Sequence, residues 1–159
     1  MLSPADSHLR IDCGLGEGPH WEEASNTLRF VDIVKRKVPT VDLNKGSSSH
    51  HVLTDLDIFI SVTADIEGTD KEFAFDGKHG YGIVDRETGK YKYIRRYWEG
   101  EADAAKKEQE LRGNDGGVNR RGRFWVGTMN EPLVTTPTNV GMVNLPCPCT
   151  RWRSLLSLQ

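Results

Sequence analysis

Glu17 stands between two glycines in the run Gly14-Leu15-Gly16-Glu17-Gly18-Pro19-His20-Trp21. Glycine on either side lets another backbone approach and leaves the carboxylate uncovered. A lone glutamate of this kind reads first as a surface charge. The glycine spacing faintly resembles a dinucleotide-binding loop, but such a loop must open directly into a helix. Here Pro19 and the turn-rich Glu22-Glu23-Ala24-Ser25-Asn26 lead into a strand, which excludes it. A second group lies in Arg112-Gly113-Asn114-Asp115-Gly116-Gly117-Val118. Arg112 and Asn114 are two apart, so in extended backbone they point the same way. A guanidinium fork beside an amide that both donates and accepts suits a polyhydroxylated ligand. The same residues also read as a tight Asn-Asp-Gly turn with Arg112 in solvent, and the spacing serves both readings.

Other arrangements do not assemble. Asp65-Ile66-Glu67-Gly68-Thr69-Asp70 is acidic but lacks the ligand order of an EF-hand loop. Ser47-Ser48-Ser49-His50-His51 reads as a polar loop without a third metal ligand, and Cys147-x-Cys149 alone makes no zinc site. The sequence contains no HExxH, phosphate-binding P-loop or GxSxG elbow.

The elements that must position these residues are strands. Leu28, Phe30 and Asp32 alternate with Arg29, Val31 and Ile33; Glu72-Phe73-Ala74-Phe75, Tyr81-Gly82-Ile83-Val84, Tyr91 to Tyr93 and Arg123-Phe124-Trp125-Val126 follow, punctuated by Gly, Asp and Asn. Period-two patterning with such punctuation predicts antiparallel sheet. Asp85-Arg86-Glu87-Thr88-Gly89 predicts a hairpin connection. Glu101 to Leu111 is rich in helix formers without an apolar stripe, which predicts a short solvated connector. Phe30, Phe75 and Phe124 recur in similar contexts at separations of 45 and 49 residues. Roughly 40–50 residues is one four-stranded propeller blade. Three blades are therefore expected, at about 12–55, 58–100 and 108–145.

Composition sets the class. The chain is 36% hydrophobic and 28% charged, with 21 basic and 23 acidic residues and a net charge of -2. There is no basic stripe, so nucleic acid is not expected as a partner, and Lys35-Arg36-Lys37 reads as a solvated turn. No apolar run is long enough to cross a bilayer, and residues 1–12 lack the apolar segment of a secretory leader. Cys13, Cys147 and Cys149 form an odd set. These features together predict a soluble cytoplasmic protein with free thiols and no membrane partner.

At these residues the sequence resembles the regucalcin/gluconolactonase family, also called the senescence marker protein family. The matching runs are Leu15 to Trp21, Thr27 to Ile33, and above all Arg112-x-Asn114-Asp115-Gly116-x-Val118 continuing through Gly122-Arg123-Phe124-Trp125-Val126-Gly127-Thr128-Met129. The resemblance implies an all-β fold, a part of a six-bladed β-propeller made of about three four-stranded antiparallel blades. It divides the chain into an N-terminal extension (1–11), the propeller part (12–145) and a divergent, Pro-interrupted tail (146–159). It implies a divalent cation, Ca2+ or Zn2+, in the central channel and hydrolysis of sugar lactones. Glu17 then corresponds to the first-blade metal ligand, and Arg112 and Asn114 to substrate-contacting residues. A further substrate-contacting glutamate of the family falls by count on Pro132, one position past Glu131, which makes Glu131 the nearby candidate. Gly117 stands where the family commonly has a larger residue.

The family's remaining metal ligands, an Asn and an Asp that also serves as general base, belong to the second half of the ring. The chain is accordingly expected to be a truncated lactonase that holds a cation weakly if at all, is weakly active or inactive alone, and self-associates through exposed blade faces. The alternative expectations are a non-enzymatic calcium-binding or interaction module and, ignoring the motif match, a small β-sandwich carbohydrate binder.

Overall fold

The computed structural model describes residues 11–45, 51–53, 58–136, 138 and 141–144, of which 51–53 and 144 are described by backbone alone. Apart from Ile11, the expected N-terminal extension lies outside the described residues. So does the expected tail, with Cys147 and Cys149; Cys13 is a free thiol.

The predicted strands form and fall into three antiparallel sheets. The first contains β1 (Gly16–Glu22), β2 (Thr27–Asp32), β3 (Val38–Asp42) and β4 (His51–Leu53) in chain order. The second contains β5 (Ile60–Asp65), β6 (Glu72–Gly77), β7 (Gly80–Asp85) and β8 (Tyr91–Arg96). A single helix, α1 (Ala104–Glu110), leads into the third, with β9 (Leu111–Val118), β10 (Phe124–Asn130) and β11 (Val143–Asn144), three strands among the described residues. Each sheet is a meander of neighbours in sequence, and each falls within one expected blade. His51, read from sequence as loop, instead opens β4 opposite Thr40.

The repeat of phenylalanines has a structural meaning. Phe30, Phe75 and Phe124 lie on β2, β6 and β10, the second strand of each sheet. The middle sheet is covered on both faces, and strand alternation sorts its side chains between them. Phe73 and Phe75 join Val31, Ile33 and Val38 of the first sheet in one apolar cluster, with Ile58, Ile60 and Val84. Ala74, of opposite parity, joins Val62, Ala64, Ile66 and Tyr81 against Phe124 and Val126 of the third sheet. β5 is buried at nearly every position, its polar Ser61 and Thr63 included, although its residues alternate apolar and polar. Sheets stacked face to face in sequence order, each a four-stranded meander or part of one, make a partial β-propeller.

β5 lies against both β1 and β9, so the first strands of the three sheets are the innermost. All three carry a bulge in their pairing with the second strand. In β1 the register jumps between Glu17 and His20, in β5 between Ile60 and Val62, and in β9 opposite Gly127 and Thr128. A bulge inserts an unpaired residue and re-aims its neighbours.

Helix α1 buries none of its residues, as a solvated connector should. It is nonetheless tied down. Lys78 Nζ donates to Gln109 O at 3.4 Å, Arg96 Nη1 donates to Glu108 Oε1 at 3.3 Å, and the Glu131 N–H donates to Glu110 O at 2.7 Å.

Candidate functional site

The starts of the innermost strands converge on one place. A Cβ added to Gly18 would lie 3.5 Å from Ser61 O, and one added to Gly113 would lie 2.7 Å from Gly77 O and upon the Asp76 carboxylate. Ser61 and Asp76 face each other across β5 and β6, joined by a hydrogen bond from Ser61 Oγ to Asp76 Oδ2 of 2.8 Å. At Gly113 only glycine lets β9 approach this closely, whereas a Cβ at Gly18 would make an ordinary contact.

Glu17 is exposed on β1, just ahead of the bulge, and pairs with Val31. Gly18 follows with φ +55°, a left-handed conformation that glycine takes without strain. The uncovered carboxylate read from the two glycines is therefore present.

Arg112 and Asn114 fit neither sequence reading fully. They lie in strand β9, not in a tight turn. Gly113 pairs with Thr128 and Asp115 with Gly127, so Asn114 is the unpaired residue of the bulge. Spacing by two therefore does not fix a common direction. Arg112 is buried and donates through Nη1 to Gly113 O at 2.7 Å, while Asn114 is exposed.

Glu131, just past β10, is brought to Arg112 because β9 and β10 pair antiparallel, with Leu111 opposite Asn130. Its Oε2 lies 3.7 Å from Arg112 Nε and 3.7 Å from Lys78 Nζ. Lys78 sits in the two-residue hairpin between β6 and β7 and was not singled out from sequence. A lysine in a turn gives no signal of its own; only the third sheet's position against that hairpin reveals it.

Asp76 was also missed. It is fully buried, and Tyr97 Oη donates to its Oδ1 while Ser61 serves Oδ2. Burial pushes its carboxyl well above the usual range, more than the Ser61 and Gly77 hydrogen bonds and the Arg112 charge bring it down.

A separate ionic group joins the first two sheets at the far ends of β1 and β5. Arg29 is buried and bonds Glu22 Oε1, Asp65 Oδ1 at 2.8 Å and Thr63 Oγ1 at 3.0 Å. Arg86 reaches the same two carboxylates at 2.5 and 2.7 Å, and His20 Nε2 meets Asp65 Oδ2 at 3.0 Å. Both guanidinium groups stack on Phe73.

For a cation the donor set is thin. Among the described residues no three His, Cys, Asp or Glu side chains gather round one point. Calcium takes about 6–8 oxygen ligands and zinc about four ligands, and Glu17 supplies at most two. The described residues do not by themselves fit a resident divalent metal.

Comparison with known proteins agrees with the fold. The chain matches the SMP-30/Gluconolactonase/LRE-like region over residues 15–155. It is 33% identical over 134 residues to regucalcin of Bos taurus, an alignment covering 77% of this chain and 37% of the bovine protein. It is 30% identical over 125 residues to the cell growth-regulated gene 1 protein of Candida albicans, covering 74% of this chain and 36% of that protein. Among solved structures it is similar to a luciferin-regenerating enzyme (TM-score 0.68, 20% identity, 84% of this chain and 45% of that one). It is also similar to the calcium-binding protein regucalcin of Agrobacterium tumefaciens (TM-score 0.66, 24% identity, 85% and 43%). The architecture is that of a partial six-bladed β-propeller. The chain belongs to the SMP-30/gluconolactonase/LRE-like family, and it spans 37% of the length of the regucalcins it matches. Among the described residues no helix is long and apolar enough to cross a membrane.

Proposed function

We propose that this chain carries the sugar-holding side of a lactone-hydrolysing site and, alone, turns over lactones negligibly. Arg112 beside Glu131 at the start of β9, with Asn114 exposed on the adjoining bulge, is the observation that carries the reading. A guanidinium, a carboxylate and an amide together offer donors and acceptors to the hydroxyls of a sugar ring. Arg112 is fixed by its bond to Gly113 O and by burial, so it can orient a ring rather than merely attract it. Membership of a family with a gluconolactonase among its structural neighbours, that of Xanthomonas campestris, supports the lactone as substrate class.

A divalent cation in such a site would polarise the lactone carbonyl and acidify a bound water. Glu17 is the residue of this chain that could contribute to holding it. One or two carboxylate oxygens make too weak a cage, and among the described residues no group of three His, Cys, Asp or Glu side chains completes it.

The test is gluconolactone turnover by the pure 159-residue chain with added calcium or zinc. The expected result is a rate at the spontaneous background with either metal. Turnover that chelator abolishes and Glu17→Gln removes would overturn the reading. Calcium binding without turnover would instead favour a non-enzymatic calcium-binding role.

A further inference from the structure

The Oε2 atom of Glu131 is buried and has no hydrogen-bond donor among the described residues, although the residue is only 6% exposed. Native proteins rarely leave such an atom unpaired, and exceptions commonly mark a place where something else binds. Its two neighbours are both cations. Arg112 Nε and Lys78 Nζ each stand 3.7 Å away, close enough for charge but too far for a hydrogen bond. Two cations against one carboxylate leave the cluster with a surplus positive charge. The other acidic groups nearby are Asp76, Glu108 and Asp115. Asp76 is buried and held toward its neutral form. Glu108 is engaged with Arg96 at 3.3 Å and His79 at 3.9 Å. Asp115 is exposed, with Oδ1 accepting from the Gly116 N–H at 2.6 Å.

Lys78 is held for this position. Its backbone N–H donates to Phe59 O at 3.1 Å, its ammonium lies 5.9 Å from the centre of the Phe59 ring, and it donates to Gln109 O at 3.4 Å. Those contacts hold the side chain, 18% exposed, while its ammonium keeps donors to spare.

We propose that Lys78, Arg112 and Glu131 form a subsite for a polyhydroxylated carboxylate, the open-chain sugar acid, and that Lys78 selects for its negative charge. A ligand hydroxyl donates to Glu131 Oε2, and the ligand carboxylate is received by Lys78 and Arg112. Charge-assisted bonds of this kind are the strong ones, and a neutral sugar of the same size cannot make them. The inference rests on the sugar-holding reading above and narrows its ligand to the acid that lactone hydrolysis yields.

The test is equilibrium titration of the 159-residue chain with D-gluconate and with D-glucose, in chelator so that no metal takes part. The expected result is gluconate binding at least tenfold tighter than glucose, weakening as salt is raised. Lys78→Gln should cut gluconate affinity about tenfold and leave glucose unchanged, bringing the ratio toward one. Lys78→Arg, which keeps the charge and the stem, should retain the ratio. Should Lys78→Gln fail to fold, Glu131→Gln gives the opposite sign, since removing the one negative charge raises the gluconate-to-glucose ratio. Equal affinity for gluconate and glucose in the native chain, or a ratio unmoved by these changes, overturns the proposal. Background turnover with equal gluconate and glucose binding would sink this inference alone; chelator-sensitive turnover with selective gluconate binding would overturn the reading above and leave this inference standing.

Discussion

Asp76 is the residue whose environment departs furthest from that of an ordinary carboxylate. Burial favours its neutral acid, and the surrounding bonds suit that form. With a proton on Oδ2 the bond that Ser61 Oγ otherwise donates there reverses, the Ser61 hydroxyl then donates to Asp76 O at 3.2 Å, and Tyr97 donates to Oδ1. Asparagine reproduces this pattern without a titrating proton. Asp76→Asn should therefore change stability by less than about 1 kcal/mol, whereas Asp76→Ala, which strips partners from Ser61 and Tyr97, should cost about 2–3 kcal/mol. The pH dependence has a definite sign. A carboxyl whose folded pKa is raised is most favourable to folding below its unfolded value, about 3.9, and loses that contribution as pH rises toward the folded value. Thermal melts from pH 4 to 8 should show wild type falling progressively behind Asp76→Asn. The neighbouring Gly113 is a second test at this scale. Gly113→Ala puts a methyl group upon the Asp76 carboxylate and 2.7 Å from Gly77 O, so β9 must retreat from β6 and carry Arg112 with it. The expected outcome is a lower melting temperature together with loss of gluconate binding.

At the scale of elements, the first and second sheets are joined by charge as well as by apolar packing. Burial pushes the Glu22 carboxyl up, but Arg29 and Arg86 more than reverse it; burial likewise raises Asp65, but His20 and Arg29 outweigh that. Both are held below the usual carboxylate range. Groups with depressed folded pKa values stabilise the fold above their unfolded values, near pH 4, and that contribution is lost as pH falls through the folded values. Stability should decline below about pH 4, and Asp65→Asn should flatten the decline in an acid titration followed by tryptophan fluorescence. Arg29→Ala leaves Arg86 as the one guanidinium shared by Glu22 and Asp65, beside His20 on Asp65 and Thr27 on Glu22, and should cost about 3 kcal/mol in denaturant unfolding.

These same elements show where sequence reasoning reaches and where it stops. The second strands were legible because Phe30, Phe75 and Phe124 repeat at blade spacing, and the β7–β8 hairpin because Asp85 and Gly89 punctuate it. The bulges were not, since an inserted residue leaves local alternation looking regular until a partner strand is in place; Asn114 was read as aligned with Arg112 for that reason. Arg29 alternates with Leu28 and Phe30 as a surface residue would, and only its partners on β1 and β5 explain its burial. Lys78 and Glu131 meet through sheet packing across some fifty positions of chain, a proximity no local pattern encodes.

At the scale of the whole molecule, the outer faces of the end sheets remain uncovered among the described residues. Trp21 is exposed beside half-buried Leu28 and Phe30 on the first sheet, and Trp125, Met142 and Val143 are exposed on the third, with Leu133 and Val134 beyond. Apolar patches of this kind favour association. Light scattering should show association that grows with concentration, and Val134→Lys with Val143→Lys should reduce it. The central claim is that this chain offers a sugar-holding cluster but, among the described residues, no group of three side chains to cage a cation. Calorimetric titration with calcium measures it directly. The account predicts binding no tighter than about 1 mM, with Glu17→Gln making little difference. Micromolar binding that Glu17→Gln abolishes would contradict it, since a lone glutamate cannot supply such a cage.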